Sequence, residues 1–501
     1  MAEPASEVPE SADLEFERAP RTDQSFENAL AKARDGERLT VDDAIELLTT
    51  GTDVDGIDRR RKELVLEAAD RRRQEVVGDE VTFVANLNNN VTTACNVGCL
   101  FCNFKDAAHT FEASAERSSA ESRAAESSRD DGSGEATSEL PRDDHEETGG
   151  RETAGFTKTP AESREIVADA VERGIYEVCS VSGLHPAFAL DDEHREILEG
   201  YAAERGREAA YREVNYKTPS AYETDPGTYV EQIAAMSVGG VHVHSMTPEE
   251  AYHARRGTDW SYEEVYRRLQ DAGLDTVPGT AAEILVDEVR DVICPGKIDT
   301  QGWLDAMEAA ANVGLGLTAT IMYGHVENEA HRAIHLQRVR ELQERVDGAI
   351  TEFVPLSFVH QNTPLYEHGV VDGGATQAED ELMIAVSRLF LDNVDHIQSS
   401  WVKYGDEGGL KMLTCGADDF MGTILSEEIT KRAGGEYGEF RSFADYVELV
   451  TSIGRTPVER STDYETRRVI DPDEPPFGPE LGPKADGTPL VEASERLPAN
   501  D

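Results

Sequence analysis

The sequence predicts an α/β protein: a partial TIM-like barrel of about six βα units, preceded by a helical cap and followed by an α/β extension. Three observations predict it. From Thr159 to Phe358, strand-like and helix-like stretches alternate across short loops, the pattern of parallel strands joined by crossover helices. Between Ser25 and about Gln74, apolar residues recur at helical spacing alone. Three of the six cysteines, Cys95, Cys99 and Cys102, fall within eight positions directly after the first strand-like run. Barrels carry their chemistry at such a strand end.

Residues 1–24 are acidic and contain Pro and Ala, and are expected to be disordered. The helical cap is placed at 25–78. Phe26, Leu30 and Ala33 share one face of its first helix. Thr40 and Asp43 resemble a capping box opening a second, with Ile45, Leu47 and Leu48, and a charged third runs from Arg59 to Gln74. The barrel is placed at 79–372, its first buried strand being Val81 to Val91. Between Phe111 and Phe156 the single large apolar residue is Leu140. Such a segment buries too little surface to offset its ordering entropy, so 113–153 reads as a disordered insertion.

Thr159-Pro160-Ala161-Glu162 caps a helix that ends at Gly174, followed by a strand at Ile175–Val181 and a helix at Glu193–Arg205. Val241–Ser245 is a strand, and Thr247-Pro248-Glu249-Glu250 opens the next helix. Another runs from Ser261 to Gly273. Thr276–Gly279 is a strand, with a helix expected to begin in Ala281-Ala282-Glu283-Ile284-Leu285. A helix at Trp303–Asn312, a strand at Thr318–Tyr323, a helix at Glu329–Val346 and a strand at Glu352–Phe358 complete the series. The extension, 373–455, holds a helix at Ala378–Leu391, a strand-like run at His396–Val402 and a helix at Asp445–Ser452. The remaining 456–501, rich in Pro, Asp and Glu, reads as an extended or disordered tail.

With 100 Asp and Glu against 48 Lys and Arg, the net charge is −52, spread along the chain. No basic stripe exists to neutralise phosphates, so nucleic-acid binding is excluded. Evenly distributed acid suits a protein adapted to high intracellular salt, where a Debye length of about 3 Å at 1 M screens the self-repulsion. No apolar run reaches the roughly 18 residues that cross a bilayer, and the N-terminus lacks the basic and apolar regions of a signal peptide. A cytoplasmic location is expected. Six cysteines in 501 residues, half of them in one motif, do not make a disulfide framework.

Three thiolates on one tight loop suit an iron–sulfur cluster. A four-iron cube wants four ligands, so three cysteines leave one iron free to chelate a small molecule. The competing reading is a structural zinc with His109 as fourth ligand. It is weaker, because Cys3His sites draw their ligands from two separated pairs. The C-x3-C-x2-C spacing, with Phe101 before the last cysteine, resembles the signature of the radical S-adenosylmethionine (SAM) enzymes. In that superfamily the open iron takes the amino and carboxylate groups of SAM.

Further words narrow the resemblance: G-L-H-P (183–186), P-G-T-A-A-E-I-L (278–285), D-E-V-R-D-V-I-C-P (287–295), T-A-T-I-M-Y-G-H (318–325), E-F-V-P-L-S-F (352–358), N-T-P-L-Y (362–366), A-V-S-R-L-F-L (385–391) and S-W-V-K (400–403). Together they resemble the CofH family, the 5-amino-6-(D-ribitylamino)uracil–L-tyrosine 4-hydroxyphenyl transferases of FO synthase. The likeness covers about 25–452 apart from the insertion and a second extra stretch near 206–232. The menaquinone-pathway relatives, aminofutalosine synthase and the spiro-ring-forming cyclase, share the layout but usually read P-G-G-G-A-E where this chain has Thr280 and Ala281. A family glycine is replaced by Ser182.

The resemblance implies a [4Fe–4S] cluster on Cys95, Cys99 and Cys102, and SAM as cofactor. It implies hydrogen abstraction from L-tyrosine, cleavage of its Cα–Cβ bond, and addition of the 4-hydroxybenzyl group to 5-amino-6-(D-ribitylamino)uracil. A second radical SAM subunit, CofG, would then close the product to the deazaflavin FO, on the way to coenzyme F420. Phe101 is a candidate to pack on adenine, and Ser182 and Gly183 to meet the SAM amino group. For substrate, His244 (facing the same side as His242), Glu283, Tyr323, His325 and Trp401 are candidates. Each also has a plain structural reading: buried histidines, a helix-terminal carboxylate, core aromatics. A non-enzymatic iron–sulfur electron carrier is the remaining alternative.

Overall fold

The computed structural model describes residues 22–50, 56–102, 155–204, 219–425 and 440–473. The N-terminal segment, the insertion at 113–153, His109 and the end of the tail lie outside them. Three helices open the chain, at Asp23–Asp35, Val41–Leu48 and Gly56–Val77. Capping boxes start the first two, Thr22 with Ser25 and Thr40 with Asp43. The first helix buries Phe26, Ala29, Leu30 and Ala33, an i, i+3, i+4, i+7 stripe. The second packs on helix Glu329–Arg345, the third on helix Gln377–Phe390. Arg340 Nη1 fastens this cap to the barrel by donating to Leu39 O at 2.9 Å and Phe390 O at 3.2 Å.

The run expected as one first strand is two: β1 (Glu80–Val84) and β2 (Asn86–Asn88), which enter different sheets. Ala85 marks the break, its N–H donating to Tyr176 Oη at 3.2 Å. From β2 a seven-stranded parallel sheet continues in chain order through β3 (Glu177–Ser180), β4 (His242–Ser245), β5 (Thr276–Val277), β6 (Gly316–Tyr323), β7 (Ile350–Ser357) and β8 (His396–Ile397). The TIM-like arrangement is therefore present. It carries one strand more, β8, from the stretch assigned to the extension. Strand character there stops at Ile397, and Trp401 opens a helix to Leu413.

A second sheet runs β11-β10-β1-β9, built with β9 (Asp419–Gly422), β10 (Thr456–Arg460) and β11 (Thr466–Val469). Residues 456–469, expected as a loose tail, thus form two strands. Isolated parallel bridges, Gln398 to Asp419 and Leu87 to Leu425, link the two edges of the barrel sheet through the β9 segment. At the N-terminal end of the barrel, Arg460 donates to Asp419 at 2.5 Å and reaches Glu352 at 3.5 Å, while Thr462 donates to Glu177 at 2.6 Å. This charged plug closes the bottom. The opposite end is left for chemistry.

Candidate active site

The cysteine loop rises from β2 and is gripped on three sides. Thr93 N donates to Phe156 O at 3.0 Å, and Thr92 bridges antiparallel to Thr157, tying the loop's stem to the chain that returns from the insertion. Cys95 N donates to Tyr222 Oη at 2.8 Å, and that hydroxyl donates back to Cys95 O at 3.2 Å. On the far side Leu100 N donates to Ile293 O at 2.8 Å, and Leu365 N to Leu100 O at 3.1 Å. Gly98, at φ +82°, makes the tight reversal between the first two cysteines. Cys99 is buried, whereas Cys95 and Cys102 are half-buried.

Three soft thiol donors on one loop at the C-terminal mouth of a parallel barrel suit iron and sulfide. Burial pushes the Cys99 thiol up, and the charge of Lys297 is the largest influence pulling it back. In donor chemistry, three thiols on one loop, the residues present fit an iron–sulfur group.

Gly183 has no positive φ to explain it; close approach does. A Cβ there would lie 2.3 Å from Ala94 O and 3.0 Å from Thr92 O, and Gly183 N donates to Thr92 O at 2.9 Å. Ser182 Oγ accepts from Val91 N at 2.7 Å, and its own backbone N–H is engaged by Glu250. The serine at this glycine position is thus a clasp on the cysteine stem. Its hydroxyl points at the protein's own backbone.

The expected helix at Ala281–Leu285 is absent. Ala281 (φ +77°) and Glu283 (φ +47°) occupy left-handed backbone, and the helix begins only at Asp287. Glu283 is not at a helix N-terminus; its carboxylate pairs with Lys297, both side chains about a tenth exposed. The Lys297 ammonium also stands 5.4 Å from the centroid of the Phe101 ring. Burial lowers the lysine's pKa, but Glu283 and the neighbouring thiols and carboxylates more than offset this and leave it raised. Glu249 accepts from Ile298 N at 3.1 Å, and burial raises its carboxyl. Glu250, in the capping box with Thr247, is pushed up to about 7 by burial.

His244 is 8 % exposed and shares the Thr276 hydroxyl with His242, at 2.7 and 2.8 Å. Burial lowers its pKa to about 4, so it is neutral. Tyr323 is fully buried at the end of β6; its hydroxyl bonds Asp380 at 2.7 Å and Tyr404 at 2.9 Å. Burial raises Asp380 to about 6, although hydrogen bonds from Tyr323 and Ser357 oppose this. His325 is spent locally, its Nδ1 2.9 Å from Glu327 and accepting from Val326 N at 2.8 Å. Trp401 is 2 % exposed, with its N–H on Gly422 O and the Tyr446 hydroxyl and Arg441 over its ring. It has no free face for stacking a pyrimidine.

The fold thus brings Cys99, Phe101, Glu283, Glu249 and Lys297 together, and Ser182 and Gly183 onto the loop's stem. The hydrogen bonds of His244 and Tyr323 go elsewhere. Sequence reasoning missed Lys297, Tyr222, Glu250 and Asp380. One signal was available: the chain has only ten lysines, and Lys297 sits in the apolar context V-I-C-P-G-K-I.

Residues 89–339 match the radical SAM superfamily, and 347–472 the CofH/MqnC C-terminal region. Among solved structures, methylornithine synthase (PylB) is similar with a TM-score of 0.53 at 15 % identity, covering 86 % of this chain and 97 % of that one. HydG, a maturase of the [FeFe]-hydrogenase, gives 0.54 at 13 %, covering 87 % and 77 %. These likenesses concern the fold. The FO synthase of Mycobacterium leprae is 35 % identical over 81 % of this chain, which spans 38 % of that longer protein. The 5-amino-6-(D-ribitylamino)uracil–L-tyrosine 4-hydroxyphenyl transferase of Halobacterium salinarum is 67 % identical, covering 96 % of both chains. That of Haloarcula marismortui is 72 % identical, over 95 % of this chain and 97 % of its own. An iron–sulfur cluster and SAM follow from the superfamily. With two relatives matched nearly end to end, the chain belongs to the radical SAM family of 5-amino-6-(D-ribitylamino)uracil–L-tyrosine 4-hydroxyphenyl transferases.

Proposed function

We propose that this chain joins the 4-hydroxybenzyl group of L-tyrosine to 5-amino-6-(D-ribitylamino)uracil in the biosynthesis of FO. The single observation that carries the reading is the three-cysteine loop at the barrel mouth of a chain 72 % identical to a named transferase. Cys95, Cys99 and Cys102 would hold a [4Fe–4S] cluster with one iron left for SAM. When bound, these cofactors supply a carbon-centred radical able to take hydrogen from tyrosine.

The chain's own residues do the rest. Phe101 would pack beside the nucleoside, and the Ser182–Gly183 turn would present backbone to the methionyl end. Glu283, the carboxylate expected to meet a substrate ammonium, already has Lys297 as its cation. Tyr323 with Asp380 offers a hydroxyl–carboxyl pair at the end of β6. His244, neutral and hydrogen-bonded to Thr276, is best suited to orient the barrel's polar interior. A CofG-type radical SAM protein is proposed as the partner that consumes the product. Among the described residues no helix is long and apolar enough to cross a membrane.

Because the C-terminal region matches a class shared by CofH and MqnC, the menaquinone-pathway reaction is the alternative to exclude. Thr280 and Ala281 carry side chains just after β5, where barrels bind substrate, and would narrow that mouth. Reconstituted protein given SAM, a reductant and each substrate set separately should form the tyrosine–uracil adduct, read by mass spectrometry. Formation of aminofutalosine or its cyclised product, without that adduct, would defeat the reading.

A further inference from the structure

The turn that carries Lys297 is built against the cysteine loop. Besides the Leu100–Ile293 hydrogen bond, Gly296 packs so closely that a Cβ would lie 2.6 Å from Val97 O. Lys297 N donates to Cys294 O at 3.0 Å, closing the turn. The ammonium is delivered to the face of Phe101, the residue before Cys102, and is the strongest attractive charge acting on both Cys99 and Cys294. Its partner Glu283 is held in left-handed backbone, rare for a residue with a side chain, by the Met322 N–H on its carbonyl at 2.7 Å.

Two enclosed charges are a poor way to stabilise a fold, since desolvation offsets most of their attraction. Their placement makes sense as a response to charge arriving on the thiolates, in a chain already at −52. We propose that Lys297 is a positioning residue for the iron–sulfur cluster, the fixed counter-charge that sets its reduction potential, with Glu283 tempering that charge. The step concerned is one-electron reduction: one electron enters the cluster from a low-potential one-electron donor, and no bond forms or breaks. A nearby positive charge stabilises the added negative one.

The inference rests on the three cysteines being cluster ligands. In a protein interior of effective dielectric about 20, loss of this charge should change the reduction equilibrium by about tenfold. That is about 59 mV for one electron. The test uses the full chain, reconstituted anaerobically in molar salt without SAM, and a dithionite titration followed by electron paramagnetic resonance. Lys297→Met should move the midpoint about tenfold toward the oxidised form, and Lys297→Arg should keep it near the parent's. Glu283→Gln should move it the opposite way, which loss of a merely structural contact does not do.

Midpoints of Lys297→Met and Glu283→Gln that equal the parent's, or move in one direction together, overturn the proposal. If Lys297→Met loses its iron, Glu283→Gln decides alone, and a midpoint not raised overturns it. A parent showing no reduced-cluster signal overturns the ligand assignment as well. A parent with the signal and unmoved variants overturns this inference only.

Discussion

Gly183→Ala isolates the demand that the barrel makes on the cysteine loop. The new Cβ would meet three backbone atoms, Ala94 O at 2.3 Å, Ala94 C at 2.9 Å and Thr92 O at 3.0 Å. None can rotate aside, so either the 92–94 run or the Gly183 turn must move by about 1 Å to restore ordinary contact. Overpacking of this kind costs about 1–3 kcal/mol. Weakening the Gly183–Thr92 hydrogen bond (2.9 Å) adds about 1 kcal/mol, so a loss of roughly 2–4 kcal/mol is expected. Cys95 is the next residue, and a misplacement of about 1 Å at reacting groups costs on the order of a hundredfold in rate.

Thermal unfolding in molar salt, iron content and anaerobic SAM cleavage measure the three effects. Gly200→Ala is the control: no atom lies within 4 Å of its Cβ, and in a helix it should gain about 0.5–1 kcal/mol. Full iron, an unchanged melting midpoint and near-parental SAM cleavage in Gly183→Ala would refute the reasoning.

Three further outcomes follow from the same geometry. Changing any one of Cys95, Cys99 or Cys102 to Ala should abolish cluster absorbance, while Cys179, Cys294 and Cys415 should each tolerate Ala; full iron in Cys99→Ala would overturn the ligand set. Tyr222→Phe removes both hydrogen bonds to Cys95 and should hasten cluster loss under chelator severalfold, with folding intact; a parental rate of loss argues against the clasp. Glu250 rises from 4.5 to about 7 on folding, so the stability it contributes is complete below pH 4.5 and is lost as pH climbs through 7. Glu250→Gln keeps the capping geometry and has no such loss. Across that interval stability should therefore shift in the variant's favour by on the order of 3 kcal/mol, at about 1.4 kcal/mol per unit, and a pH-independent difference would contradict the burial argument.

Local pattern was enough for the elements that cap and pack themselves. Thr40 with Asp43 and Thr159 with Glu162 announce helices through chemistry three residues apart, and both boxes are found. The parallel barrel was legible for the same reason: each βα unit follows from a short window. The split at Ala85 was not, because the strands that take β1 out of the barrel lie at 419–460. Periodicity in Val81–Val91 says that residues alternate; it does not say against which sheet. The strands in the acidic tail escaped likewise, since Arg460 is buried by partners at Glu352 and Asp419. At the site, three cysteines in one word announced a ligand set. Glu283 and Lys297 meet across an aperiodic turn, and left-handed backbone at an alanine and a glutamate has no sequence signature.

The seam of the barrel has a consequence for how the chain comes to be. Thr82 bonds Asp419, 337 residues downstream, and β2 is held to the same distant segment through Thr423, Ile424 and Leu425. At translation speeds of about 5–20 residues per second, the cysteine loop leaves the ribosome tens of seconds before the segment that seals the ring exists. Closure of so long a loop is also intrinsically slow. A nascent chain whose early strands pair before β9 emerges would hold its three thiols on an unsealed sheet, open to iron delivery and equally to oxidation. Maturation and folding would then compete for the same stretch of time, on a schedule set by where β9 lies in the chain.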